Sequence, residues 1–266
     1  MDIVRDSGVE WSMSLTTDLK DFSRKNGADL VGIADLIPFR SGNFSHPADL
    51  LDPYDYAISI ALRLDDEIMD AITDHPTTEY AGHYRKMNKD LDDITAKIVR
   101  WTSRLGFRAT AIPASFIEDE KNLLGNLSHK AIARMAGIGW QGKSLLIVSP
   151  EFGPRIRLAT VLTDMPLVPD KPLKNRCGKC TACTKACPAS AIRNILPKES
   201  HFAAREEAIR LDKCRAKTTE FKAVPGIGAM ICGVCVKSCP HGKGKNSVTE
   251  KGYKKAKLSV PRRGAF

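Results

Sequence analysis

Residues 177–188 read CGKCTACTKACP, the spacing C-x2-C-x2-C-x3-C-P. Soft thiolates at that spacing are the ligand run of bacterial ferredoxins, in which three cysteines hold one cubane and the fourth crosses to the other cluster. A second, shorter run follows at Cys232, Cys235 and Cys239 before Pro240, and Cys214 stands alone between the two. All eight cysteines of the chain lie in this region, with none in the preceding 176 residues. The crossing rule divides them evenly. One [4Fe-4S] cluster takes Cys177, Cys180, Cys183 and the distal Cys239; the other takes Cys187, Cys214, Cys232 and Cys235. Zinc sites usually pair C-x2-4-C with a distant second pair, which a four-cysteine run ending in Cys-Pro fits poorly. A disulfide framework needs an oxidising compartment, and no apolar leader opens the sequence, so a cytoplasmic location is expected.

The chain has 266 residues, 42% of them hydrophobic and 27% charged, enough for one large or two modest domains. No apolar stretch is long enough for a bilayer span, and no membrane association is expected. The formal charge of +10 is concentrated at the end: from Lys237 onward nine Lys or Arg face only Glu250, a net +8. Such a tail suits phosphate backbones, tRNA among them, or an acidic electron donor.

Outward from the cysteines, the organisation is α+β. Three segments follow: 1–170 as an α/β substrate domain, 171–245 as a ferredoxin-like domain and 246–266 as the basic tail. Residues 1–13 lack a clear period and read as an arm, followed by a short helix from Thr17 and Asp18 to Gly27. Asp29–Ala34 and Tyr56–Leu62 are apolar runs of buried-strand type, and Gly32 implies a close backbone approach. Pro38–Pro53 reads as a long loop. Tyr84, Met87, Leu91, Ile94, Ile98, Trp101 and Leu105 form an apolar stripe, so 80–105 is a helix. Phe107–Ile112 is a third strand, and Leu145–Val148 and Leu158–Leu162 are strands around a Gly153-Pro154 turn. Glu118, Asp119 and Glu120 bring three carboxylates together.

Residues 127–146, LSHKAIARMAGIGWQGKSLL, hold a helix from Ser128 and then Gly137, Gly139 and Gly142 around Trp140 and Lys143. Glycines admit a ligand close to backbone; Trp and Lys add a flat apolar surface and a mobile charge. The glycines follow a helix, not a strand, so the structural context of a dinucleotide fingerprint is missing.

In order, GADLVGIA, SHKAIARMAGIGWQGKSLL, VLTDMPLVPD, CGKCTACTKACPASAI, LDKC and CGVCVKSCP resemble epoxyqueuosine reductases, which in turn resemble reductive dehalogenases. The match covers roughly residues 18–242. The resemblance implies a cobalamin held base-off between a nitroreductase-like α/β domain and a ferredoxin-like domain with two [4Fe-4S] clusters. It implies a reduced ferredoxin or flavodoxin-type donor, with electrons passing through the clusters to cobalt, whose Co(I) form reduces the substrate. Gly137, Gly139, Trp140, Gly142 and Lys143 are then expected to contact the corrinoid. None of the six histidines carries the Asp-x-His-x-x-Gly signature of a protein cobalt ligand. The family's catalytic aspartate corresponds to Pro113, so its proton donor is not carried over; Tyr80, Tyr84, Glu118 and Asp119 are the candidates. After Cys214 the family's Ser-Tyr-x-Thr-Ile-Glu becomes RAKTTE, and Cys-Pro-Trp becomes Cys239-Pro240-His241. These departures imply a reductase of a substrate other than epoxyqueuosine in tRNA, the alternatives being epoxyqueuosine reduction itself or electron transfer without corrinoid catalysis.

Overall fold

The structure is a computed structural model and describes residues 3–40, 45–119, 124–197 and 201–242. Glu120 and the basic tail from Lys243 onward lie outside the described residues. Helix α1 (Ile3–Lys25) leads into β1 (Leu30–Asp35), the short α2 (Ile37–Arg40) and, after a 3-10 turn at Ala48–Leu51, β2 (Tyr56–Arg63). Then come α3 (Asp66–Asp70), the long α4 (Thr78–Arg104), β3 (Ala109–Ile112) and α5 (His129–Met135). The hairpin strands β4 (Trp140–Gln141) and β5 (Ile147–Val148) precede β6 (Ile156–Thr163). The cysteine region adds α6 (Ala182–Ala186), α7 (Arg205–Ala208), α8 (Leu211–Lys222) and α9 (Val234–Lys237).

The main sheet runs β1-β2-β6-β3, and every pairing is antiparallel. Its strands read as continuous apolar runs because both faces are covered, whereas antiparallel sheets often wet one face. Ile58, Ile60, Ala159 and Val161 face the cluster built with α1 and α4; Ala57, Ala61 and Leu162 face α5 through Ile132, Ala133 and Ala136. That alternation is the two-residue period of a strand. Gly32 is where the α5 side comes closest: a Cβ there would lie 2.0 Å from the Ala136 carbonyl oxygen.

Helix α4 starts at Thr77, whose side chain accepts from the Tyr80 N–H, and buries Met87, Leu91, Ile94 and Ile98. The arm expected at 1–13 is instead helical from Ile3. Tertiary packing carries the helix back from its docked turns: Leu15 and Leu19 are buried, Phe22 stacks on Trp101 at 5.3 Å, and Trp11 lies 6.0 Å from Phe107. Once the docked turns are nucleated, extension costs little. The strand expected at 145–148 is shorter, because Leu145 has φ 63° and turns the chain between β4 and β5.

Asp170 ties the connector to the cysteine region against edge strand β1. Its carboxylate accepts from Lys20 Nζ at 2.7 Å and from Ile33 N–H at 2.8 Å, and its own N–H donates to the Ile33 carbonyl at 2.9 Å. The far end returns to the first core: Ile227, Ile231, Val234 and Val236 pack in the same cluster as Leu91 and Ile58. Lys237 Nζ donates to the Ile72 carbonyl at 2.7 Å, and Arg85 donates to that of Ile227 at 2.9 Å.

Candidate metal centre and active-site cavity

All eight cysteines are free, part-buried thiols. Cys177, Cys180, Cys183 and Cys239 line one small cavity together with Cys235. Burial first, and then Cys177, Cys183 and Cys180, push the Cys239 thiol up to about 11. In the other group, burial and the neighbouring Cys187 raise Cys214, while burial, Cys214 and Cys187 raise Cys232. Cys235 is raised by burial, by Cys232 and Cys214 and, more weakly, by Cys183. It therefore stands between the two groups. Thiolates this buried and this close to one another repel unless a metal neutralises them. Among the described residues no three His, Cys, Asp or Glu converge on one single-ion position. The C-x2-C-x2-C-x3-C-P run suits a cubane, which binds each thiolate at a different iron, better than a lone zinc. The donor set fits two cubanes. Ala191 N–H also donates to Cys187 Sγ at 3.3 Å, the kind of contact that tunes a cluster's potential.

The Gly-Trp-x-Gly-Lys segment scaffolds these thiols. A Cβ at Gly139 would lie 2.4 Å from the Val148 carbonyl oxygen, and one at Gly142 2.9 Å from Val148 Cγ2 and 3.5 Å from Cys177 Sγ. Gly137, at φ 69°, would meet the Lys171 carbonyl oxygen at 2.8 Å. Trp140 is wholly buried, with His241 edge-on at 5.0 Å and the Arg176 guanidinium 5.6 Å from its ring. Lys143, only 5% exposed, donates to the Cys180 carbonyl at 2.8 Å and to Asn194 Oδ1 at 3.0 Å. Asn175 links the hairpin to the ligand run, donating to the Gln141 carbonyl and accepting from the Cys177 N–H. None of Gly137, Gly139, Trp140, Gly142 and Lys143 lines the large cavity. The small residues here admit the protein's own backbone, and the Lys143 charge meets a carbonyl and an amide oxygen of the cysteine region.

The large cavity has a volume of about 1130 Å³, beyond the roughly 300–1,000 Å³ of ordinary small-molecule sites. It reaches Cys214, Cys232 and Cys235 at one end and Ser45, His46, Glu118 and Asp119 at the other. Tyr80, Tyr84, Glu118 and Asp119, drawn from α4 and from the loop after β3, thus share one cavity. Their settings differ. Burial raises the Tyr80 phenol far above its ordinary value, and the nearby Cys235 and Cys232 add to this against the opposing charge of Arg157. Tyr84 goes the other way: burial raises it, but the Arg157 charge and hydrogen bonds with Ser115, Asn88 and Arg157 outweigh burial and hold it below the usual phenol. Its hydroxyl lies 2.9 Å from Ser115 Oγ, and Arg157 stacks 4.4 Å from its ring while donating to Asn88 Oδ1. Glu118 sits on the outer rim, 3.9 Å from His46.

Further wall residues are Ser128, His129, Lys130, Arg157 and Arg205, together with Pro113. The Pro113 carbonyl accepts from His129 Nε2–H at 3.0 Å, and His129 Nδ1 accepts from the Thr160 hydroxyl at 2.8 Å. Both ring nitrogens are therefore committed. Burial lowers His129, and burial with the nearby Arg205 lowers Lys130. His129, Lys130, Arg157 and Arg205 were not among the candidates drawn from the sequence. The available signals were a Ser-His-Lys helix start and an arginine inside an otherwise apolar strand.

Residues 176–242 match the 4Fe-4S double cluster binding domain. The chain is 36% identical to the epoxyqueuosine reductase of Bacillus cereus over 128 residues, covering 45% of this chain and 31% of that protein. The matched region is thus about a third of the length of such relatives. Among solved structures, a reductive dehalogenase described for B12-dependent dehalogenation aligns over 91% of this chain and 34% of its own, with a TM-score of 0.68 and 20% identity. An epoxyqueuosine reductase bound to a modified tRNA-Tyr stem loop aligns over 87% and 66%, with a TM-score of 0.56 and 23% identity. The likeness to epoxyqueuosine reductases is borne out in sequence over part of the chain, and the α+β fold with its cysteine-rich second part is that of these structures. Among the described residues no helix is long and apolar enough to cross a membrane.

Proposed function

We propose that the chain is a cobalamin-dependent iron–sulfur reductase. One cluster is held by Cys177, Cys180, Cys183 and Cys239, the other by Cys187, Cys214, Cys232 and Cys235. The observation that carries this reading is the 1130 Å³ cavity floored by Cys214, Cys232 and Cys235. A ferredoxin that only shuttled electrons would have no use for a space of that size against its cluster. Ile112, Leu127, Ile147 and Ile156 offer apolar wall for a macrocycle face, and Asn126 and Ser128 offer polar groups for a rim of amides. When bound, cobalamin supplies a low-potential metal centre that reduces the substrate. His129 is no ligand for that centre, because both its nitrogens are taken.

The protein's share of the chemistry is electrons, a proton and exclusion of water. Tyr84 holds the proton at its phenol oxygen, oriented by Ser115 and made more acidic by Arg157. Lys130 and Arg205 offset negative charge at the cysteine end of the cavity. The family resemblance sets Pro113 at the position of the reductases' aspartate, and this supports a substrate other than epoxyqueuosine in tRNA.

Anaerobic reconstitution with iron and sulfide, followed by titration with cobalamin, tests the reading. A shift of the corrinoid spectrum to a base-off form is the expected result. Absence of any shift, with clusters intact, makes the chain an electron-transfer protein. Salt-sensitive tRNA binding that weakens when residues 249–266 are removed would instead favour the tRNA substrate.

A further inference from the structure

The segment from Lys171 to Cys187 carries Lys171, Lys174, Arg176, Lys179 and Lys185 and no Asp or Glu. All five cations are exposed, and among the described residues none has an acidic side chain within ion-pair distance. They flank Cys177, Cys180 and Cys183 in the chain, three thiols none of which lines the large cavity. A cubane with four thiolates carries about −2, so five cations leave this surface positive. Unpaired surface charge contributes little to stability, but it accelerates encounter with an opposite charge.

We infer that the exposed surface of residues 171–185 is the docking site of an acidic one-electron carrier protein, of ferredoxin or flavodoxin type, which delivers electrons to the cluster of Cys177, Cys180, Cys183 and Cys239. This rests on the reading of the cysteines as two cubanes and not on the corrinoid. The step is a single electron transferred per encounter: the carrier is oxidised, the cluster is reduced, and no bond forms or breaks. A nucleic acid is the less fitting occupant. A substrate must enter the large cavity, which none of the five cations lines, whereas the basic surface surrounds redox thiols.

The test uses the full chain with both clusters reconstituted and no corrinoid, followed anaerobically by the bleaching of cluster absorbance. Two donors are compared, a reduced acidic ferredoxin and photoreduced deazaflavin, which is small and carries no comparable charged surface. With ferredoxin the wild-type rate should fall steeply as salt rises. In Lys174→Glu/Lys179→Glu/Lys185→Glu it should fall about ten-fold or more at low salt, while the deazaflavin rate and iron content stay unchanged. A wild-type rate indifferent to salt overturns the proposal, as does a triple variant that ferredoxin reduces at the wild-type rate. If the triple variant loses iron, Lys174→Gln/Lys179→Gln provides the measurement: an intermediate rate supports the docking site, and an unchanged one overturns it. A variant that loses only tRNA affinity assigns the surface to RNA and also overturns it. Failure of cobalamin to bind leaves all these outcomes untouched.

Discussion

Residues 30–163 contain a sheet in register with apolar packing on both faces, whereas residues 171–242 contain helices of four, five and twelve residues around eight thiols. The buried cluster within the second region is small: Leu145, Ile192, Phe202, Ala208 and Ile209. Helices this short are not self-supporting, so metal ligation and the return of Ile227 to Val236 onto the first core must hold the region together. The first region is a fold built by burial, and the second is a fold built by ligation and leaning on the first.

Removing iron should break that comparison most visibly. Structural metal sites contribute on the order of 10 kcal/mol. Chelation under anaerobic conditions should therefore abolish amide-exchange protection in α6, α7 and α8 while β1, β2 and β6 keep theirs; equal protection in both regions would refute the contrast. Within the ligated region, Cys214→Ala should lower iron from about eight to about four atoms per chain, and retention of all iron would overturn the ligand assignment. Tyr84→Phe, at the seam between the regions, should slow corrinoid-dependent turnover about 10²–10⁴-fold with cluster content unchanged. In the wild type, activity should be lost on the alkaline side at a pH below the ordinary phenol value of about 10, because Arg157 favours the deprotonated form and the donor must carry its proton.

Leu91→Ala, at a wholly buried position of α4, should cost about 2–5 kcal/mol in denaturant unfolding. The loss should be similar with and without iron if the first core stands by itself. The smallest effect concerns pH. Burial holds His129 below its ordinary value of about 6.5, so the folded state resists protonation more than the unfolded one. Stability from this group is complete above that value and declines as pH falls towards the folded pKa. His129→Gln should flatten this acid limb in thermal melts taken across pH 5–7.

The strands at 29–34 and 56–62 and the helix at 80–105 were legible because burial imposes a period on the residues themselves. The N-terminal turns of α1 were not, since Val9, Trp11 and Met13 are largely exposed and leave no period. Of the site, the cysteines were legible and the cavity wall was largely not. Tyr84 and Glu118 could be proposed from the sequence, but Arg157 lies in β6 and joins Tyr84 only across the α4–sheet packing.

The amino-acid sequence by itself determined that the C-terminal region is a double-cluster iron–sulfur domain, because ligand spacing is written into the covalent chain. Only the tertiary structure decided where Gly137 to Lys143 lie. Sequence chemistry made that segment look open to a ligand, and packing sets its glycines against the chain's own atoms, with Gly142 beside Cys177. The same packing brought α4, the start of α5 and β6 around one cavity, a meeting of groups distant in sequence that no local pattern encodes.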